Sequence, residues 1–247
     1  MNQKLPFKPF NIREAIKFLF SRAFIFYLLV SVFVYFFVDF DHIAQGMKTR
    51  TLNYYMPKSF SYLIDLDEGR VPVSSSELQY YISYFEKVAE YFPQRADTYG
   101  FLGFCYYHLG QMAKAKEAYA TQARLFPKFF WAHYNLGIIS MLQKNEAEAV
   151  ASFQQALNVD VRYTTSFLVS PRTLYGLIVE KNLRLSEKEL QIDLAKGYLN
   201  AYYALSGLLL KQDKKEESDR AAARAQEMIK VLGLQPGDRV LIKIFLL

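Results

Sequence analysis

Residues 96–127 read ADTYGFLGFCYYHLGQMAKAKEAYATQARLFP, and residues 130–161 read FWAHYNLGIISMLQKNEAEAVASFQQALNVDV. The two segments match at a constant offset of 34 residues: Leu102-Gly103 returns as Leu136-Gly137, Ala115 as Ala149, Tyr119 as Phe153 and Pro93 as Pro127. An offset shared by small, aromatic and turn-forming positions is the signature of stacked helical hairpins. Small residues let the two helices of a hairpin approach closely, and rings fill the space between hairpins. Gly110 suits the turn between helices, where positive φ costs a glycine little. Units of this kind bury their apolar faces against neighbours and leave an extended concave surface.

Position by position, the segments resemble the tetratricopeptide repeat (TPR), W-x2-L-G-x2-Y, then A-x3-F, then P. The first copy carries Tyr99, Leu102, Gly103, Tyr106, Ala115, Tyr119 and Pro127. The second carries His133, Leu136, Gly137, Ser140, Ala149, Phe153 and Ala156, with Val161 where the closing proline would stand. Upstream, residues 77–93 read as a second helix alone, with Phe85 at the aromatic position, Ser76 as its N-cap and Gln79 as the capping-box partner. Downstream, Tyr202, Leu205, Ser206, Leu209 and Ala225 form a weaker copy. Residues 164–198 fit poorly and read as a degenerate repeat or a helical insert, with a helix starting near Ser186 and Glu189. The solenoid is expected over 77–232.

A second feature precedes the repeats. Residues 23–38 hold no charged side chain, and extension back to Phe18 takes in Arg22 and gives about 21 residues, near the ~20 that cross a bilayer core. A buried core helix is the alternative. Lys4, Lys8, Arg13, Lys17 and Arg22 precede the run against Glu14, and Asp39 and Asp41 follow it. That asymmetry places residues 1–17 in the cytoplasm and the repeats outside it. Residues 39–46 (DFDHIAQG) offer no A-x-A-like cleavage site, so an uncleaved anchor over 18–38 is expected. Residues 39–76 read as a juxtamembrane segment and linker. Tyr54, Tyr55, Phe60 and Tyr62 there suit either the headgroup region or packing on the first repeat.

The expected class is therefore all-α: one N-terminal transmembrane helix followed by a TPR-like helical-hairpin solenoid. The net charge of +6 includes the five basic residues flanking the anchor, so no nucleic-acid surface is read. The basic stretch from Lys211 to Lys215 is interleaved with acids and reads as a solvated helix face. A single cysteine, Cys105, leaves no internal disulfide and reads as a small buried hydrophobe. His42, His108 and His133 are the only histidines, with no metal-ligand spacing, and no phosphate loop or nucleophile elbow is present. No catalytic residue, metal, cofactor or small-molecule substrate is expected, and the chain is not expected to be an enzyme.

In the tetratricopeptide family, the first helix of each hairpin lines the concave face. The resemblance implies a lining of Asp97, Gly100, Phe104, Tyr107 and His108, then Trp131, Tyr134, Ile138, Met141 and Leu142. This set is aromatic and aliphatic, and lacks the Lys, Arg and Asn of members that clamp a peptide carboxylate. An apolar groove is expected to be filled. The occupant is a protein partner anchored on Trp131, Tyr134 and Tyr107, or the chain's own insert or its apolar tail over 233–247 (within it, DRVLIKIFLL). The expected role is a membrane-anchored scaffold or accessory subunit of an extracytoplasmic complex, as at a bacterial inner membrane. A cytoplasm-facing adaptor that captures clients and a regulator of a cell-envelope enzyme are the alternatives.

Overall fold

The computed structural model describes residues 13, 17, 22–37, 44, 46–48, 50, 60–170, 172–176 and 187–233. The chain divides into two units, Met1–Tyr54 and Tyr55–Leu247. The first contains α1 (Arg22–Phe37), 16 residues long. Within it Ile25, Phe26, Tyr27, Leu28, Leu29, Val30 and Val32 are all exposed, so the helix presents apolar side chains on every side. The expected span of 18–38 runs past α1 into 18–21 and 38, which lie outside the described residues. Among the described residues, no helix is long and apolar enough to cross a membrane.

The described residues of the second unit are helical apart from turns and connections. They form α2 (Ser61–Asp67), α3 (Ser75–Tyr91), α4 (Ala96–His108), α5 (Met112–Leu125), α6 (Phe130–Leu142), α7 (Glu146–Leu157), α8 (Val161–Val169), α9 (Glu187–Lys211) and α10 (Lys215–Leu232). Three hairpins pair α4 with α5, α6 with α7, and α9 with α10. They stack in series, α5 against α6 and α7 against α9, with α3 preceding α4. Helix α9 thus takes the place of the next first helix, and α8 is passed over.

Glycine sets the spacing within the first two hairpins. A Cβ on Gly103 would stand 2.8 Å from the Tyr119 ring, and one on Gly137 would stand 2.8 Å from the Phe153 ring. Both rings are buried, so the second helix rests directly on the backbone of the first. The entry to each hairpin repeats as well: Tyr99 Oη donates to the Pro93 carbonyl at 3.0 Å, and His133 Nε2 meets the Pro127 carbonyl at 2.8 Å.

The three hairpin turns are also superposable in pattern. Gly110, Lys144 and Asp213 all have left-handed φ, at 73°, 60° and 59°. In each turn the next residue's N–H donates to a carbonyl five residues back, as Gln111 to Tyr106, Asn145 to Ser140 and Lys214 to Leu209. This hydrogen bond satisfies a carbonyl that the helix end would leave bare. The weak C-terminal copy is therefore a hairpin of the same construction.

One expectation is corrected at the start of this unit, and one open choice is decided. Ser74, not Ser76, caps α3, its hydroxyl accepting from the Glu77 N–H at 3.4 Å. The reason is Tyr62, whose hydroxyl accepts from the Ser74 N–H at 2.7 Å and donates to the Pro72 carbonyl at 3.2 Å. That phenol holds the strand-like approach, so the helix begins at Ser75 and the linker ends sooner. Of the two settings open to Phe60, the structure shows packing: it is buried, stacks on Phe85 and lies 6.1 Å from Phe101. Tyr54, Tyr55, Ser186 and residues 234–247 lie outside the described residues.

The shared turn predicts opposite effects from two substitutions in denaturant titrations. Gly110→Ala forces a side chain into left-handed φ and is expected to cost about 1–2 kcal/mol. Lys144→Gly relieves the same conformation and is expected to gain about 0.5–1 kcal/mol.

Candidate functional site

The concave face expected from the repeats is largely filled by the chain itself. Over the first hairpin lies residue stretch 172–176, which follows α8. The Asp97 carboxylate accepts from the Leu174 N–H and from the Thr98 N–H, and pairs with Arg95 at 2.9 Å. Arg95 also donates to the Arg172 carbonyl at 3.4 Å. A buried carboxylate with this many donors clamps the insert to the start of α4.

Tyr175 completes the contact. Its ring stacks on Phe101 at 4.7 Å and lies 5.7 Å from Phe129. The hydroxyl receives a hydrogen bond from Gln122 Nε2 at 3.3 Å and occupies the space that a side chain on Gly100 would need. Burial raises the Tyr175 phenol well above its ordinary pKa. Helix α8 reaches this point through Thr164, whose hydroxyl accepts from the Phe130 N–H at 2.9 Å, and through Phe167, stacked on Phe126 at 4.4 Å.

Over the second hairpin lies α9. A Cβ on Gly197 would collide with the Trp131 ring and stand 2.8 Å from the Phe130 ring, so the α9 backbone rests on both. Tyr198 stacks on Phe130 at 4.2 Å and donates to the Val159 carbonyl. Burial raises the Tyr134 phenol well above its ordinary pKa. Trp131 is only 1% exposed, and Tyr134 and Ile138 are equally enclosed.

Of the lining residues inferred from sequence, Phe104, Trp131, Tyr134 and Ile138 are thus core. The two hairpins bring Tyr107, His108, Met141 and Leu142 to the ends of α4 and α6, at one rim of the concave face. Tyr107, His108 and Met141 are half-buried, and Leu142 is 52% exposed. His108 packs its ring on Phe104 at 4.4 Å and on Tyr107 at 5.2 Å. Lys211 of α9 reaches Glu146 at 3.5 Å, so the end of α9 lies beside the same rim.

Of the residues that seat the insert and α9, Asp97 and Gly100 stand in the lining inferred from sequence, whereas Gln122 and Gly197 do not. Gln122 was readable in one respect, since it stands where the second copy has Ala156. Gly197 was readable only as a glycine inside a helix, which marks close approach without saying to what. Cys105 is buried, and burial raises its thiol pKa, so it is unreactive packing. Among the described residues, no group of three or more His, Cys, Asp or Glu is placed to hold a metal. A cleft of about 430 Å³ at the edge of the second hairpin is lined by Lys128, His133, Asn158, Asp160 and Tyr163 among others. Its Lys128 ammonium sits 4.2 Å over the Tyr163 ring, and Asp160 is engaged by Arg162.

Trp131 is the only tryptophan of the chain, so its fluorescence reports on α9 directly. Gly197→Val is expected to lift α9 from α6, shift the emission to longer wavelength and lower stability by about 1–3 kcal/mol. An unshifted spectrum with unchanged stability would show that α9 does not seal Trp131.

The tetratricopeptide repeat family model matches residues 96–129 and 132–160. Two crystal structures of MamA are similar to this chain, each at 18% identity. One aligns with a TM-score of 0.34 over 64% of this chain and 92% of its own, the other with 0.37 over 76% and 100%. No curated protein matches this chain in sequence. Residues 96–129 and 132–160 of this chain are tetratricopeptide repeats.

Proposed function

We propose that this protein is a membrane-held scaffold that grips a protein partner at the open rim of its repeats. The observation that carries the reading is that rim. With the grooves of both repeats filled internally, Leu142 still projects 52% exposed beside half-buried Tyr107, His108 and Met141. Aromatic and aliphatic side chains at such a site suit an apolar segment of another protein. The role is binding, not catalysis.

Membrane attachment is supported by the apolar sequence of residues 18–38, by the exposed large apolar side chains around α1, and by the basic residues before it. The same charge asymmetry supports a cytoplasmic N-terminus with the repeats on the far side. A lipid anchor and a modest rim together gain from effective concentration, so neither contact needs to be tight alone.

The test is affinity purification of the tagged full chain from detergent-solubilised membranes, comparing wild type with Tyr107→Ala/Leu142→Asp. These positions are at least partly exposed, so the variant retains its core, whereas truncating Trp131 or Tyr134 would disturb folding. A partner recovered at near-equal amounts and reduced at least tenfold in the variant is the expected result. Equal recovery from both would refute the rim as the docking site. Recovery of the chain in the soluble fraction would refute membrane attachment. Protease protection of a C-terminal tag reads the orientation: digestion once the outer envelope is permeabilised is expected, and protection that persists until the inner membrane is lysed would point instead to a cytoplasm-facing adaptor.

A further inference from the structure

The cleft of about 430 Å³ at the edge of the second hairpin is filled by neither the insert nor α9. It lies at the end of the hairpin opposite the rim, since His133 is in the first turn of α6 and Leu142 closes that helix. Its size falls within the range of small-molecule sites, about 300–1,000 Å³. Lys128 precedes α6, His133 belongs to it, Gln155 and Asn158 come from the end of α7, and Asp160 and Tyr163 from the start of α8. His133 stands where the first hairpin has Tyr99. Both side chains meet a proline carbonyl, at 2.8 and 3.0 Å. A carbonyl only accepts, so His133 Nε2 carries the hydrogen and Nδ1 is left as an acceptor. His133 is 8% exposed, and its Nδ1 is buried without a partner. A tyrosine would bring no such atom, and a buried acceptor of this kind calls for a donor.

We infer that this cleft binds a neutral, polyhydroxylated ring: a sugar residue. The inference is independent of the rim and of any partner held there. Lys128 and Asp160 are the two charged residues of the lining, and their signs are opposite. Hydrogen bonds from Arg162 hold the Asp160 carboxyl well below the usual carboxylate range, so it stays ionised. An anion drawn to Lys128 would meet that carboxylate, and a cation drawn to Asp160 would meet Lys128. The remaining polar groups suit hydroxyls. Gln155 and Asn158 are exposed, and among the described residues their side-chain amides make no hydrogen bond. Each amide both donates and accepts, as each sugar hydroxyl does, and the bare Nδ1 of His133 takes a hydroxyl hydrogen. An anion without a hydrogen to donate would leave that acceptor unmet. Tyr163 supplies the apolar surface. The Lys128 ammonium stands 4.2 Å over its ring, yet the residue is still 46% exposed, so ring surface remains for the C–H face of a sugar.

The test is saturation-transfer NMR on the full chain, held in a detergent without sugar head groups. The probes are methyl glucoside, methyl galactoside, N-acetylglucosamine and its trimer. Transfer to the ring protons of at least one probe is expected. Tyr163→Ala and Gln155→Ala/Asn158→Ala change exposed side chains, and each is expected to lower the transfer at least fivefold. His133→Tyr restores the residue of the first hairpin, keeps a donor for the Pro127 carbonyl and removes Nδ1, and is expected to lower it at least threefold. An unshifted Trp131 emission checks that each variant is folded. Inorganic phosphate and acetate, at the concentration of the probe, are expected not to displace it. A trimer that binds at least tenfold tighter than the single ring would identify a glycan chain as the source, and equal binding a free sugar. No transfer to any of the four probes, transfer unchanged in all three variants, or displacement by phosphate or acetate would overturn the inference.

Discussion

Two rings laid on two glycines govern this structure. Tyr119 over Gly103 and Phe153 over Gly137 bring paired helices to a separation that any side chain at the glycine would forbid. Each ring is fully enclosed and contributes about 1.5–3 kcal/mol by burial, so the close approach is held as well as permitted. From that separation follow the pitch of the stack, the place where α9 must lie against α7, and the width of the concave face. The third hairpin reaches a similar end by other means. Ser206 replaces the glycine, Ala222 stands at the aromatic position, and the Ser206 and Ser218 hydroxyls meet at 3.0 Å. A larger residue on one helix is matched by a smaller one on the other, as a fixed spacing demands.

The filled groove follows from what lines it. A stack with this pitch presents Phe101, Phe129, Trp131 and Tyr134 on its inner side, and left bare these would form a large apolar patch. The chain covers them with segments contributed from between its own repeats. The insert contributes Tyr175, and the backbone at Gly197 lets α9 settle onto Trp131. The two contacts differ in character. Around Tyr175 the fit is anchored by charge, with Asp97 holding the insert backbone and Arg95 beside it. Around Trp131 the fit is contact of ring and backbone.

How much of this was readable depends on distance along the chain. The hairpins and the Gly110 turn were legible because helix period, small residues and turn chemistry are local. The left-handed turns at Lys144 and Asp213 were not, since neither residue announces positive φ; equivalence with Gly110 is what reveals them. The cap moved from Ser76 to Ser74 because Tyr62 reaches in from 12 residues away. The insert was legible as a break in the pattern over 164–198, but its path was not. Leu174 meets Asp97 across 77 residues, and nothing in either local sequence encodes the meeting. For the same reason the aromatic lining was readable as apolar, while the identity of its cover was not. Trp131 and Tyr134 have the composition of interface anchors, and the same composition suits a core.

Internal filling changes what a partner can do. A repeat protein with an empty groove binds a segment by burying it between first helices, and specificity then lies in those positions. Here that volume is already occupied by Tyr175 and α9, both too enclosed to leave without dismantling aromatic contacts at several rings. In the proposed reading, recognition is therefore confined to what projects from the finished solenoid, at the rim around Leu142. A rim of this size supports modest affinity, since only a few side chains are available to be desolvated. Restricting diffusion to a surface is the physical means by which modest affinity becomes sufficient. In the proposed reading, attachment through the apolar N-terminal sequence meets that requirement.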